Sequence, residues 1–365
     1  MSVTTDLKRA VRWLSFGLAL LLIYPLALAL VAAAQTSLSL SSWALLGGLL
    51  LIELAALGAP LQRGLLTWSS GLAGAVLLIV TTVPRSCASD AGGMVSVARA
   101  DAGPERGSVV TPADPPAWLL EERDLVLLAA QMLPGTRWLE PGEAQGLKQG
   151  LAAGYDAVLT APDGLRAGAP TWRARQQAGL VDALVVHSAL RSPEIGLIFL
   201  HGFGGNFAWP CWAMAHAVRQ QVSVTLCPSL GTQGDWWSAR GLEVAQQAVE
   251  ALRARGITRY ILAGLSNGAL GAGAIASALQ PRPERLILIS GLPRGEVPAE
   301  LPVLLVQGDQ DRRVSTARAR RLAQQHADTW TYLELDGDHF VWLRRPKRVD
   351  AALRAWLPAS TGNAR

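Results

Sequence analysis

Three long apolar runs occupy the first part of the chain. They cover residues 14–34, 43–60 and 65–83, and the first and third contain no charged residue. Each is close to the ~20 residues with which an α-helix crosses a bilayer, so we predict a membrane anchor of about three transmembrane helices over residues 1–83, with two as the alternative. The second run is the weakest candidate because it contains Glu53, and an acid inside a membrane is costly. The first run also fits a cleaved signal peptide, although it is long for one and two more apolar runs follow it.

A segment rich in Ala, Gly, Ser, Pro and Asp follows the apolar runs. It spans residues 84–116. Such a composition is typical of a flexible linker. We therefore predict a linker here and a globular domain over residues 117–365, with its core between residues 180 and 358.

Beyond the linker, short apolar runs alternate with helical stretches. The predicted strands are residues 180–188, 195–202, 222–227, 259–264, 285–290, 303–308 and 330–335, and the predicted helices are 117–133, 142–154, 242–255, 267–279, 315–327 and 348–356. The strands are almost continuously apolar, as strands of a parallel sheet covered by helices on both faces are. We expect an α/β fold with a mostly parallel sheet between helix layers. The RSPE sequence at 191–194 fits a hairpin between the first two strands.

Composition narrows the classes of partner. The chain has 33 Lys and Arg against 28 Asp and Glu, a net charge of +5, and its basic residues are scattered. Binding of nucleic acid needs a basic face interleaved with aromatic residues, so we expect no nucleic-acid partner. The mean hydropathy of +0.25 is high and comes from the N-terminal runs, so the expected partner is a membrane bilayer. Protein partners are left open by the sequence.

Basic residues near the apolar runs predict the orientation. Lys8, Arg9 and Arg12 precede the first run, and Arg63 lies between the second and the third. Positive residues stay on the cytoplasmic side of membrane helices, so three crossings put the C-terminal domain outside. We therefore predict a multi-pass protein of a bacterial-type inner membrane with an extracytoplasmic domain.

Three cysteines are too few for a disulfide-dense scaffold. Cys211 and Cys227 flank one predicted helix–strand unit and can pair if the domain faces an oxidising compartment, which leaves Cys87 over. No C-x-x-C motif or Cys/His cluster has the spacing of a zinc site. The sequence therefore predicts no metal and no cofactor.

The sequence GLSNG at residues 264–268 places Ser266 between two glycines. It follows a predicted strand directly and opens the next predicted helix, which is the strand–turn–helix setting of an exposed nucleophilic serine. Gly264 and Gly268 allow neighbouring backbone to approach where a Cβ would collide. The free N–H groups at the start of the helix favour negative charge. Ser266 is therefore the candidate nucleophile.

A nucleophilic serine needs a base, and the base needs an orienting acid. Among the five histidines, His339 is the one in the loop after the last strand, and Asp309 and Asp311 follow the strand before it. These groups all come at carboxyl ends of strands, where open α/β sheets hold their sites. The order along the chain is Ser, Asp, His, with either aspartate as the acid.

From about Leu180 to its end, roughly half of its length, the chain resembles the α/β-hydrolase family of serine hydrolases. The resemblance rests on four stretches in family order: His201-Gly202-Phe203, GLSNG, the G-x-x-D-x-x-V pattern from Gly308 to Val314, and the Asp-His pair before the last helix. It implies that Asp311 orients His339, with Asp309 as a turn cap.

The same resemblance implies roles for the neighbouring residues. The backbone N–H groups of Phe203 and Asn267 would form the oxyanion hole, and His201 would brace the loop that contains Gly202. Only a short turn-rich segment separates the two strands where family members usually insert a cap, so we expect a capless, esterase-like domain. The GDWW segment at 234–237 is expected at the rim of the site.

Together these inferences predict a membrane-anchored serine hydrolase. It would cleave a carboxylic ester of a small molecule or lipid through Ser266, Asp311 and His339, by way of an acyl-enzyme. An acyltransferase or peptidase with the same residues is one alternative. A catalytically inactive membrane scaffold with a hydrolase fold is another.

Overall fold

The structure, a computed structural model, describes residues 3–58, 72–75, 95–99, 121–132, 134, 139–161, 182–187 and 195–358. The chain forms two compact units. The first takes in Met1–Ser89, Pro112–Ala144 and Gly168–Pro170, and the second takes in Asp90–Thr111, Gln145–Ala167 and Thr171–Arg365. The predicted boundaries of anchor, linker and catalytic domain remain predictions.

The first unit is helical in its described part. It contains α1 (Val3–Ala34), α2 (Leu40–Gly58), α3 (Glu122–Met132) and a helical segment at 72–75. Of the described helices, only α1 is long and apolar enough to cross a membrane, over Trp13–Ala34, and a signal sequence has the same properties. The apolar part of α2, Ser42–Leu57, is shorter. Apart from 72–75, the third predicted span at 65–83 lies outside the described residues.

Helix α3 is tied to the start of α2 by a buried carboxylate. Asp124 is fully buried, and its Oδ2 accepts hydrogen bonds from the backbone N–H of Ser39 at 3.1 Å and from the Ser39 hydroxyl at 2.6 Å. The hydroxyl of Ser42 donates to the same oxygen. Arg123 donates to Asp124 Oδ1 at 3.1 Å and to the carbonyl of Ser37 at 2.6 Å. A negative charge at a helix N-terminus is favourable, so these contacts cap α2.

The described part of the second unit is built on an eight-stranded sheet. Its strands are β1 (Val95–Arg99), β2 (Asp182–His187), β3 (Ile195–Leu200), β4 (Val224–Cys227), β5 (Arg259–Leu265), β6 (Arg285–Ile289), β7 (Val303–Gly308) and β8 (Trp330–Leu335), in the order β1-β2-β4-β3-β5-β6-β7-β8. All pairings from β4 to β8 are parallel. The predicted α/β fold with a mostly parallel sheet is confirmed.

Helices alternate with these strands. They are α4 (Pro141–Thr160, in this unit from residue 145 onward), α5 (Ala208–Val218), α6 (Ala239–Ala254), α7 (Asn267–Ile275), α8 (Thr316–Gln325), α9 (Val341–Arg344) and α10 (Pro346–Trp356). Helix α6 begins where the Ser238 hydroxyl accepts from the N–H of Gly241 at 3.0 Å. Its buried residues, such as Val249, recur at helical spacing and pack on the sheet with Leu262 and Leu288.

The predicted hairpin between the first two predicted strands is wrong. Strand β2 pairs antiparallel with β4, and β3 lies on the other side of β4. Both edges of the buried strand β3 are taken by the parallel strands β4 and β5, so β2 has no edge of β3 to pair with. Residues 95–99, within the predicted linker, form β1, which pairs antiparallel with β2.

Cys211 and Cys227 form a disulfide. It joins α5 to the end of β4, with a Cα–Cα distance of 6.0 Å, and both residues are fully buried. The pairing that the sequence allows is therefore made in the structure. Disulfides persist in oxidising compartments.

Opening this disulfide is expected to lower the free energy of unfolding of the second unit by about 3 kcal/mol, because the unfolded chain regains the entropy of the open loop. Urea unfolding of the full chain in detergent measures this through the fluorescence of the buried Trp236 and Trp342, with and without reductant. The Cys87→Ser variant should unfold like the wild type, whereas Cys211→Ser should match the reduced protein. An unchanged midpoint in reductant would contradict the expectation.

Candidate active site

Ser266 occupies a strained turn between β5 and α7. Its φ is 54° and its ψ −116°. A non-glycine residue in such a conformation costs ~1–3 kcal/mol and persists only where its surroundings fix it. Here the N–H of Ser266 donates to the carbonyl of Ile289 at the end of β6, at 2.9 Å. The turn is therefore held by the neighbouring strand.

Three glycines bring backbone close to Ser266. A Cβ on Gly268 would overlap the carbonyl of Leu200 at the end of β3, and a Cβ on Gly264 would overlap the carbonyl of Gly268. A Cβ on Gly202 would lie 3.2 Å from the Cβ of Ser266. These contacts place the end of β3 against the start of α7, with Ser266 at the junction.

His339 lies beside Ser266. The Oγ of Ser266 is 2.9 Å from His339 Nε2, and His339 Nδ1 is 2.8 Å from Oδ2 of Asp311. The three side chains come from the ends of β5, β7 and β8, which the parallel sheet brings to one edge. The imidazole is 8% exposed, so it is shielded from water while still reaching the serine.

Asp311 is buried and fully hydrogen-bonded. Besides His339, the N–H groups of Arg313 and Val314 donate to its Oδ1 at 2.8 and 3.0 Å. Burial alone raises the pKa of Asp311, but the hydrogen bond and charge of His339 and these two backbone N–H groups outweigh burial and lower the pKa. The carboxylate is therefore held in its charged form.

Asp309 has a different place. Its Oδ1 accepts from the N–H of Gly337 at 2.9 Å, and its own N–H donates to the carbonyl of Leu335 at 2.9 Å. These bonds tie the loop after β7 to the loop after β8. Of the two aspartates that the sequence offered, Asp311 is the one that contacts the imidazole of His339.

Gln307 is a site residue that the sequence reasoning missed. Its Nε2 donates to Oδ2 of Asp311 at 2.6 Å, and the residue is fully buried. It closes the otherwise apolar run VLLV of β7. A polar side chain at the end of a buried strand, just before the acid loop, was the available signal.

The predicted oxyanion donors lie on the two backbone segments next to Ser266. Phe203 follows Gly202 and is 42% exposed. Asn267 is the first residue of α7, so its N–H has no partner within the helix. The side chain of Asn267 donates to the carbonyl of Gln233 at 2.9 Å, which ties the start of α7 to the loop after β4.

The loop after β4 lies against the backbone that follows β3, whereas the rim position of 234–237 stays a prediction and Trp236 within it is fully buried. Gly234 has φ +61°, and a Cβ there would lie 2.9 Å from the carbonyl oxygen of Gly202. The N–H of Gly204 donates to the carbonyl of Thr232 at 2.8 Å. Residues 232–234 therefore fix the backbone that follows β3.

His201 supports the same backbone from below. Its Nδ1 lies 2.8 Å from the carbonyl of Gly202, and its Nε2 accepts from the N–H of Leu230 at 3.1 Å. Because Nε2 is an acceptor, the ring is neutral and Nδ1 carries the proton. Burial lowers the pKa of His201 to about 4, although the bond to Gly202 acts in the opposite direction. The indole N–H of Trp236 donates to the His201 carbonyl at 2.9 Å.

Buried charge in the described part of the second unit lies at this site. Among its described residues, Asp311 is the one buried carboxylate, and no arginine or lysine is buried. The described part of the chain contains no group of three or more His, Cys, Asp or Glu placed to hold a metal ion.

The neutral, buried His201 predicts that acid destabilises the second unit. Its pKa in the folded chain is about 4, below the ordinary 6.5, so between these values the unfolded chain binds a proton that the folded chain does not. This contribution to stability is complete above the unfolded pKa. We expect the free energy of unfolding to fall by roughly 3 kcal/mol as the pH drops through this window.

Urea unfolding of the full chain at a series of pH values measures this loss. His201→Gln removes the titrating ring, so its stability should depend less on pH over the window. His326→Gln, outside the site, is the matched control and should keep the wild-type slope. Equal slopes in His201→Gln and the wild type would show that another group is responsible.

Comparison with known proteins finds one matching family model and several similar solved structures. The family model described as serine hydrolase (FSH1) matches residues 231–349. A search of curated proteins found no match. XC6422 from Xanthomonas campestris, described as an α/β serine hydrolase without a lid, is 23% identical, with a TM-score of 0.43, 51% of this chain covered and 94% of that chain.

Two esterases are also similar. Esterase PE8 is 20% identical with a TM-score of 0.40, over 47% of this chain and 96% of that one. Est1E from Butyrivibrio proteoclasticus is 16% identical with a TM-score of 0.37, over 48% of this chain and 91% of that one. The matched segment 231–349 contains the Ser266 turn, the Asp311 loop and His339. Over these residues, about a third of the chain, the sequence matches the serine hydrolase (FSH1) family.

Proposed function

We propose that this chain is a membrane-anchored serine hydrolase that cleaves carboxylic esters, with Ser266 as nucleophile, His339 as base and Asp311 as orienting acid. One observation carries the proposal: an unbroken chain of hydrogen bonds runs from Ser266 Oγ through both ring nitrogens of His339 to Asp311. The strained turn that presents Ser266 supports the same assignment.

The first half of the reaction forms an acyl-enzyme. Ser266 Oγ attacks the carbonyl carbon of the ester while His339 Nε2 takes the hydroxyl proton. Asp311 holds the imidazole by Nδ1 and stabilises the positive charge that it acquires. The N–H groups of Phe203 and Asn267 are the proposed donors to the oxyanion, each typically worth ~10²–10³ in rate. His339 then gives the proton to the departing alcohol.

The second half returns the free enzyme. A water molecule loses a proton to His339 Nε2 and attacks the acyl carbon, and collapse of the tetrahedral intermediate releases the carboxylic acid and restores the Ser266 hydroxyl. Between β6 and β7 the structure has turns and no helix over residues 290–302, which supports a site without a cap domain. Such a site suits a small-molecule or lipid ester.

Replacing Ser266 by alanine is expected to abolish ester hydrolysis. The full chain in detergent is assayed on nitrophenyl esters from acetate to dodecanoate, and kcat/KM should fall by at least about 10³-fold, because the remaining groups cannot form the acyl-enzyme. Ser277, an exposed serine in the turn after α7, provides the matched control, and Ser277→Ala should keep wild-type activity. Equal activity of Ser266→Ala and the wild type would sink the mechanism.

A fluorophosphonate probe separates the remaining alternatives. The wild type should be labelled at Ser266, whereas an inactive scaffold would not be labelled. An added alcohol or amine that captures the acyl group faster than water would identify an acyltransferase instead of a hydrolase.

We further propose that α1 and α2 both cross the membrane, that a third crossing follows them, and that the hydrolase domain is extracytoplasmic. The contacts of Asp124 with Ser39 and Ser42 tie α3 to the turn between α1 and α2, which supports the proposal that α3 lies on the side of the membrane where this turn emerges. The basic residues ahead of α1 favour the outside for that turn.

The segment 72–75 supports the third crossing. A Cβ on Gly74 would lie 2.8 Å from the carbonyl oxygen of Gly48 and 3.0 Å from the side chain of Ile52. Gly48 and Ile52 are in the middle of α2, and 72–75 is the middle of the apolar run 65–83. The close approach through two glycines is typical of packed membrane helices. The buried disulfide also fits an oxidising compartment.

Cysteine labelling tests this topology. In a Cys87→Ser background, a membrane-impermeant maleimide applied to intact cells should label Ser37→Cys and Ser277→Cys, whereas Ser2→Cys should react only after lysis. Labelling of Ser37→Cys with protection of Ser277→Cys would rule out the third crossing. A mature chain that has lost its first residues would show that α1 is a signal sequence instead.

A further inference from the structure

Gln307 is a buried amide with no structural need for its polarity. It is fully buried at the end of β7, and the preceding residues of the strand, Val303 to Val306, are apolar and buried. Its Oε1 has no hydrogen-bond partner within the described residues. A buried polar atom left unpaired is costly, so an apolar residue of the same size would serve packing better.

The amide is aimed at the acid of the site. Its Nε2 donates to Oδ2 of Asp311 at 2.6 Å, and the same oxygen is 2.8 Å from Nδ1 of His339. A carboxylate oxygen can only accept, so the NH₂ end of the amide must face it. Gln307 and His339 therefore share one oxygen of Asp311.

The other oxygen of Asp311 is held by backbone. Oδ1 accepts from the N–H groups of Arg313 and Val314, which fixes that half of the carboxylate within its own loop. Oδ2 depends on side chains, and Gln307 is the one fixed in a strand. Without the amide of Gln307, only the backbone N–H groups at Oδ1 would oppose rotation of the carboxylate relative to the imidazole.

A second buried polar group is the hydroxyl of Ser290, which follows the neighbouring strand β6. The N–H of Ser290 donates to the carbonyl of Val306, the residue before Gln307, so Ser290 and Gln307 are neighbours across β6 and β7. Ser290 is fully buried with φ 50°, and its Oγ also has no partner in the described part of the chain. Ser290 directly follows Ile289, which holds the turn of Ser266. Backbone hydrogen bonds thus connect the turn of Ser266 through β6 to the strand that contains Gln307.

We infer that Gln307 is a positioning residue of the proposed hydrolase: its amide fixes Oδ2 of Asp311 and, by sharing the charge of that oxygen, limits how strongly the carboxylate stabilises protonated His339. The inference rests on the proposed function. Gln307 touches neither the reacting serine nor the substrate, and acts through Asp311.

Two effects follow from losing the amide donor. The negative charge of Asp311 would then act more strongly on His339 and stabilise its protonated form. The pKa of His339 would rise, so the neutral base would form only at higher pH. The freed oxygen would also hold the ring less firmly, which lowers the rate at every pH. Only the first effect moves the pH profile.

The other charged groups around this pair have partners of their own. Glu334, the register partner of Gln307 on β8, binds Arg320 of α8 at 2.6 Å. On the loop after β8, Asp338 binds Arg344, and Asp309 accepts from a backbone N–H. On the loop after β7, Arg313 lies over the ring of Phe340. None of these groups changes in the variants below, so a shift of the profile reports on Gln307.

The test compares Gln307→Met and Gln307→Glu with the wild type, as full chains in detergent. For Gln307→Met, which lacks the donor, we expect kcat/KM to fall about tenfold and its acid limb to move about half a unit to a pH unit higher. Gln307→Glu can donate only while protonated, so it should stay close to the wild type at lower pH and lose activity as the pH rises. Gln310 is exposed and lies in the loop after β7 that also contains Asp311. The control variant Gln310→Met should therefore behave as the wild type.

The outcomes separate the inference from the proposed function. A Gln307→Met protein that is slower by one factor at all pH values, or is unchanged, would overturn the positioning role while Ser266→Ala still abolishes activity. Activity retained in Ser266→Ala would overturn both. If Gln307→Met shows no unfolding transition and so does not fold, Gln307→Glu decides the question. Its kcat/KM relative to the wild type should fall as the pH rises, and a ratio that does not change with pH would overturn the inference.

Discussion

Helix α7 begins in direct contact with the end of β3, and this close approach is the constraint that the site depends on. It is possible because Gly268 lies against the carbonyl of Leu200 and Gly264 lies against Gly268, where any side chain would overlap backbone. The three residues between the two glycines make a tight turn, and Ser266 at its centre has a positive φ. The same approach brings Gly202 against Ser266, so the serine and the backbone proposed to bind the oxyanion are set by one packing contact.

The acid side of the site has a different origin. Two loops that follow β7 and β8 are tied by backbone bonds and by the carboxylate of Asp309, and this places Asp311 and His339 in contact. Because β5, β7 and β8 are parallel, their carboxyl ends lie at one edge and the serine needs no further element to reach the imidazole. The strained turn supplies precise placement on one side, and a cross-linked pair of loops supplies it on the other.

Much of this could be predicted from the sequence because local patterns carry it. Continuous apolar runs gave the strands, and the order of Ser266, Asp311 and His339 after successive strands placed them at one edge. The position of β2 was beyond such a pattern, since pairing with β4 instead of β3 depends on which edges remain free in the assembled sheet. Gln307 was missed for a related reason: its role exists only through Asp311, and nothing in β7 alone shows what its amide meets. The pairing of Cys211 with Cys227 could not be decided from the sequence, because their spacing allows a disulfide without requiring one.

The two buried polar side chains that flank the site are both neutral, and this has a consequence for its electrostatics. His201 uses both ring nitrogens on backbone groups and is held uncharged by burial, while Gln307 brings a dipole and no charge to Asp311. Asp311 is then the one buried carboxylate among the described residues of the second unit, and no buried arginine or lysine of those residues competes with His339 for it. A cation in place of either neutral group would draw the carboxylate away from the imidazole. The neutral side chains of His201 and Gln307 thus fix the geometry of the site, and Asp311 carries its buried negative charge.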